Sequence, residues 1–151
     1  VTTATKIHLT DREEQVVQCL AEGLRPRQIA LQLTIREGTV HSYVALAKRK
    51  LGASGTAAAV EAAYAARVLL PPESEVGKVD LPVEQRELIP LIARSMTGVQ
   101  MAAHVKRPLK DVRSDVLALL KALGAGTRAH VPTRARQLGL ATQEKQGETK
   151  E

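Results

Sequence analysis

The chain has 151 residues, 44% of them hydrophobic, enough for one average domain or two small ones, which excludes global disorder. With no Trp or Phe and only Tyr43 and Tyr64 as aromatics, the core falls to Leu, Ile, Val and Ala, which favours helices over sheets. A net charge of +6 favours a polyanionic partner, a single cysteine excludes an internal disulfide framework, and the lack of a signal peptide or an apolar run of roughly 18–20 residues predicts a cytoplasmic protein with no membrane partner.

In chain order, Thr10-Asp11-Arg12-Glu13 has the form of a capping box that opens a first helix. Val16, Val17, Cys19 and Leu20 give that helix its apolar spacing, and Gly23 ends it. Pro26 suits the first turn of a second helix carrying Ile29, Ala30 and Leu33. After a short turn through Ile35 and Arg36, a third helix is predicted over residues 37–51, with Val40, Val44 and Ala47 inward and Gly52 as its stop. A fourth, Ala-rich helix is predicted over 56–68.

Residues 70–78 then read as a polar linker containing Pro71, Pro72 and Gly77. Beyond it, Pro90 sits well inside a predicted first helix and calls for a kink or a late start. Thr97 to Gln100 is a second capping box, and Pro108 and Pro132 suit the openings of two further helices.

An ungapped internal repeat organises this pattern. Shifted by 72 positions, Leu9 falls on Leu81, Ala21 on Ala93, Gln28 on Gln100, Ala30 on Ala102, Val40 on Val112 and Ser42 on Ser114. Leu51-Gly52-Ala53 likewise falls on Leu123-Gly124-Ala125. Apolar register is kept where identity fails, which points to a duplicated helical unit. The expected fold is all-α: two tandem four-helix helix-turn-helix domains (1–70 and 81–140) joined by a short Pro-containing linker (71–80), with a disordered tail at 141–151.

Leu9-Thr10-Asp11-Arg12-Glu13, Leu20-Ala21-Glu22-Gly23-Leu24, Gln28-Ile29-Ala30, Thr39-Val40 and Lys50-Leu51-Gly52-Ala53 together resemble the LuxR/GerE helix-turn-helix family. The resemblance implies a third helix in the major groove, with His41, Ser42 and Ala45 facing base edges, Leu46 nearby, and Thr39 and Lys50 on phosphates. Arg25 and Arg27 at the opening of the second helix, and Lys48 and Arg49 beside Lys50, extend the phosphate-binding set, because helix N-termini and flanking cations hold the DNA backbone.

The sequence departs from the family at His41, where Lys or Arg is usual, at Ala45, which offers only a methyl group, and at Ser54-Gly55-Thr56, which lacks the usual basic residue. In the second unit Arg113 replaces His41, Ser114 matches Ser42, and Lys106, Arg107 and Lys110 precede the third helix. Asp111 and Asp115 would repel phosphate there, so DNA contact and pairing, with the first unit or with another protomer, are equally open for this half. Family members dimerise through the fourth helix, here with Ala59, Ala62, Ala63 and Tyr64; a homodimer and an intrachain pseudo-dimer are equally open.

Cys19 reads as a core residue, and His8, His41, His104 and His130 lack ligand spacing, so neither metal nor cofactor is expected. No carboxylate pair, nucleophile–base set or phosphate loop points to an enzyme. The function expected is a sequence-specific, nucleoid-associated regulator of transcription that binds double-stranded DNA. The alternatives are a protein-interaction module for RNA polymerase or another regulator, and a low-specificity architectural DNA binder.

Overall fold

The computed structural model describes residues 7–75 and 79–143; residues 1–6, part of the linker (76–78) and most of the expected tail (144–151) lie outside the described residues. Among the described residues there is no strand, and no helix is long and apolar enough to cross a membrane.

Helix α1 (Asp11–Ala21) starts at Thr10, whose hydroxyl accepts from the Glu13 N–H at 3.2 Å while the Thr10 N–H donates to the Glu13 carboxylate at 2.9 Å. This reciprocal cap satisfies two backbone donors that have no partner inside the helix. Helix α2 (Pro26–Leu33) has Pro at its first position, and Thr34 closes it in the left-handed conformation. Helix α3 (Glu37–Leu51) stops at left-handed Gly52. Helix α4 (Thr56–Ala65) is shorter than expected: Arg67 turns left-handed and the chain descends to buried Leu69.

The second half repeats these bounds. Helices α7 (Gly98–Val105) and α8 (Leu109–Leu123) begin and end 72 positions after α2 and α3. The counterpart of α1 is broken into α5 (Val83–Arg86) and α6 (Ile89–Ala93). Pro90 is the cause: at the second position of α6 its missing N–H costs no helical bond, whereas within one continuous helix it would. The counterpart of α4 is a 3-10 turn (Arg128–His130) running into helix α9 (Val131–Gln137), with Pro132 again near the start. All described residues with positive φ fall into four pairs 72 apart: Gly23 and Ser95, Thr34 and Lys106, Gly52 and Gly124, Arg67 and Gly139.

Two hydrophobic clusters result, one gathering Val16, Ile29, Val40 and Val60, the other Leu88, Met101, Val112 and Leu119. They exchange one residue each. Ala57 of α4 lies in the second cluster, and Ala129, its counterpart 72 positions later, lies in the first. Helix α4 packs against α6, the 128–130 turn and α9.

The polar contacts of this interface are reciprocal too. Tyr64 Oη meets Thr133 Oγ1 at 2.8 Å, while Arg136, the counterpart of Tyr64, donates to Glu61, the counterpart of Thr133, at 2.6 Å. The Arg136 guanidinium sits 4.5 Å above the centre of the Tyr64 ring. Ser95 Oγ accepts from the Ala58 N–H at 2.8 Å, and their counterparts Gly23 and His130 are also in contact. In each exchange one residue meets a second, and the counterpart of the second meets the counterpart of the first.

Two contacts hold the chain on either side of the second half. The linker is anchored where it is described, since the Glu75 carboxylate takes Arg134 at 2.6 Å and the Glu75 N–H donates to the Gln137 carbonyl. The expected disordered tail begins tethered: half-buried Thr142 donates to Glu61 at 3.1 Å.

Candidate nucleic-acid interface

Helix α3 divides into two faces. Val40, Val44, Ala47 and Leu51 are buried at three- and four-residue spacing, which fixes the helix on α1 and α2 and leaves the opposite face outward. On that outer face His41, Ser42, Ala45 and Leu46 are exposed, with the His41 side chain 60% accessible. Glu37, one turn back, lies 3.6 Å from His41 Nε2. Ser42 donates to the Gly38 carbonyl at 3.2 Å, which keeps its oxygen outward as an acceptor.

Around this face stand exposed Arg25, Arg27 and Arg49, with half-buried Thr39 and Lys48. Arg25 reaches across to the Gly126 carbonyl at 3.3 Å. A notch of about 350 Å³ opens between the halves here, lined by Arg25, His41 and Lys48 from one side and Thr127 and Ala129 from the other. The second half thus borders the outer face of α3 without covering it.

Lys50 is placed differently from the other cations. Its Nζ lies 2.7 Å from the Glu13 carboxylate, and Glu13 is only 3% exposed. Burial pushes this carboxyl up. The Lys50 ammonium and the Thr10 N–H and hydroxyl outweigh that and hold it below its ordinary value. The charge of Lys50 is therefore engaged in joining the end of α3 to the start of α1.

Helix α8 repeats the division, with Val112, Val116, Leu119 and Leu123 buried and Arg113, Ser114 and Leu117 outward. Leu117 is 69% exposed, and sequence reasoning passed over it although it sits 72 positions after Ala45. Lys106 and Lys110 are exposed, as is Asp111. Arg107 is taken by Asp115 and lies 3.9 Å from Glu87, so the acid on α8 is paired and one expected phosphate ligand is occupied. Arg134 and Arg136, which follow α8 in the chain, are bound to Glu75 and Glu61.

Of the expected pairing residues on α4, Ala59 and Ala63 are buried in the first cluster and Ala62 is half-buried beside it; Tyr64 is the one that bonds to the second half. The residues that share this interface with it, Ala57, Glu61, Ser95, His130 and Thr133, carry no sequence signal beyond their 72-residue correspondence. Among the described residues, no group of three or more His, Cys, Asp or Glu is placed to hold a metal ion. Cys19 is buried, and burial raises its thiol pKa.

The comparisons with known proteins bear on the first half. Residues 8–63 match the GerE family, bacterial regulatory proteins of the luxR family. Transcriptional regulatory protein DesR of Bacillus subtilis (strain 168) is 42% identical over 43 residues, which is 28% of this chain and 22% of DesR. The match thus spans about a fifth of that relative's length. No solved structure matches the chain. Capped at Thr10, turned at Thr34 and stopped at Gly52, residues 8–63 are a helix-turn-helix domain of the GerE type, of the LuxR family of bacterial regulatory proteins.

Proposed function

We propose that this chain is a sequence-specific regulator of transcription that binds double-stranded DNA, inserting α3 into the major groove and offering α8 as a second reading helix. The observation that carries the reading is the outer face of α3: uncovered, and flanked by Arg25, Arg27, Lys48 and Arg49. A duplex presents phosphates on both sides of its groove, so a helix entering it needs cations at its edges and short side chains at its centre. His41, Ser42, Ala45 and Leu46 supply the centre; the four cations and Thr39 hold phosphate. In the second half Arg113 and Ser114 face the bases, with Lys106 and Lys110 on the backbone.

The two halves are read as a duplicated domain whose α4–α9 contact forms an intrachain pseudo-dimer, supported by the reciprocal pairs across it. It is a binding protein, not an enzyme, placed in the cytoplasm on the nucleoid. The match to a transcriptional regulatory protein supports the same reading.

Fluorescence anisotropy with labelled genomic duplexes tests it. Affinity should fall linearly on a log–log plot against salt, because each phosphate contact releases counterions. Arg49→Ala should weaken every duplex alike and lower the salt slope by about 1, whereas His41→Ala should change the preference at one base pair. Absence of duplex affinity at about 50 mM salt refutes the proposal.

A second reading, a docking module for another regulator or for polymerase, is favoured by the acidic groove of about 550 Å³ along α1, lined by Asp11, Glu14, Glu22 and Leu69. Co-purification with a polymerase component in the absence of DNA binding would select it.

A further inference from the structure

The outer faces of the two reading helices differ at nearly every position. Where α3 has His41, α8 has Arg113; where α3 has Ala45 and Leu46, α8 has Leu117 and Ala118; only Ser42 and Ser114 agree. The flanks differ as well. Lys48 corresponds to Leu120, and Thr39 to the exposed Asp111.

A homodimer reads an inverted repeat because two identical faces are related by its axis. Here both faces lie within one chain, and the α4 side chains that could meet a second copy are already used. Tyr64 is bonded to Thr133, Glu61 to Arg136 and Thr142, and Ala57 is inserted in the second cluster.

We propose that one molecule of this chain recognises a bipartite, non-palindromic duplex site, with α3 and α8 reading two unlike half-sites in a fixed order. This rests on the DNA-binding reading above. The planar fork of Arg113 can bond both acceptors on the edge of guanine, and Leu117, one turn further along, offers apolar surface to a thymine methyl. His41 offers a single ring N–H, and Ala45 only a methyl. The first half, with Arg25, Arg27, Lys48 and Arg49 around its reading helix, supplies phosphate grip and orientation; the second supplies the sharper base discrimination.

The test is selection by the intact chain from duplexes carrying about 30 randomised base pairs, three helical turns. The mass of the complexes is then measured by analytical ultracentrifugation. The expected result is two unlike half-sites in constant order, with one 16.3 kDa chain per duplex. Arg113→Ala should lower discrimination for guanine in one half-site about tenfold, and His41→Ala should act only on the other. Both residues are exposed, so unchanged melting temperatures should show that the fold survives. Enrichment of an inverted repeat, two chains per duplex, or either variant altering both half-sites alike overturns this inference and leaves the regulator reading standing. Failure to enrich any duplex removes both.

Discussion

Gly23→Ala is expected to destabilise the protein by about 2–4 kcal/mol, read as a fall of roughly 5–15 °C in melting temperature. Gly23 has φ +87°, where a side chain clashes with its own backbone. The added Cβ would also lie 2.4 Å from His130 Nδ1 and 2.8 Å from its Cγ, so the ring itself must move. Moving it breaks the bond that Nδ1 accepts from the Gly126 N–H at 3.1 Å. His130→Ala in the same chain removes the obstruction and leaves only the backbone strain, so the double variant should be about 1–2 kcal/mol better than additive. An unchanged melting temperature for Gly23→Ala would show that the two halves do not meet at this loop.

The same histidine links the contact to pH. Burial first, and then the Arg134 charge, hold the imidazole below its ordinary pKa, with Glu22 opposing. A group whose pKa is lowered by folding stabilises the fold above its unfolded value, near 6.5, and loses that contribution as pH falls through the folded one. Stability should therefore decline below about pH 6.5, and His130→Gln should flatten the decline.

The second large effect is expected at Lys50. Lys50→Ala should lower stability by about 1–3 kcal/mol with no DNA present, because it leaves the buried Glu13 carboxylate without its counter-charge. A lysine that only touched phosphate would show no such loss. Glu13 has its pKa lowered by folding, so its contribution is full above the ordinary carboxyl value of 4.5 and is lost as pH falls below it. Without Lys50, only the Thr10 contacts oppose burial, so the carboxyl is lowered less and the loss begins at higher pH. Glu13→Gln added to Lys50→Ala should recover part of the stability, since a neutral amide needs no counter-charge. Urea unfolding between pH 3 and pH 8 distinguishes the three chains; equal curves would remove the structural role given to Lys50.

Much of the fold was legible because its signals are short-range. Thr10 and Glu13, Thr97 and Gln100, and the stops at Gly52 and Gly124 each act over a few residues, and the bounds predicted for α3 were those observed. The outward placement of His41 followed from which neighbours were apolar, that of Ser42 from the family resemblance and that of Arg113 from the repeat. The break before Pro90 followed from the missing N–H. Where the reading was misled, a residue's local character and its distant partner disagreed. Glu13 is a surface residue by type but caps α1 and meets Lys50, 37 positions away. Arg134 and Arg136 follow α8 closely in the chain, and only the fold brings Glu75 and Glu61 to them.

Periodicity and caps determine the helices and their inner faces, because each is encoded within one or two turns of chain, and the 72-residue correspondence places the same bounds in both halves. How those halves meet is decided only in three dimensions. Ala57 and Ala129 exchange clusters, and His130 closes on Gly23, because small side chains at those points let two backbones approach. No local pattern records that approach, since its energy depends on the shape of both surfaces at once.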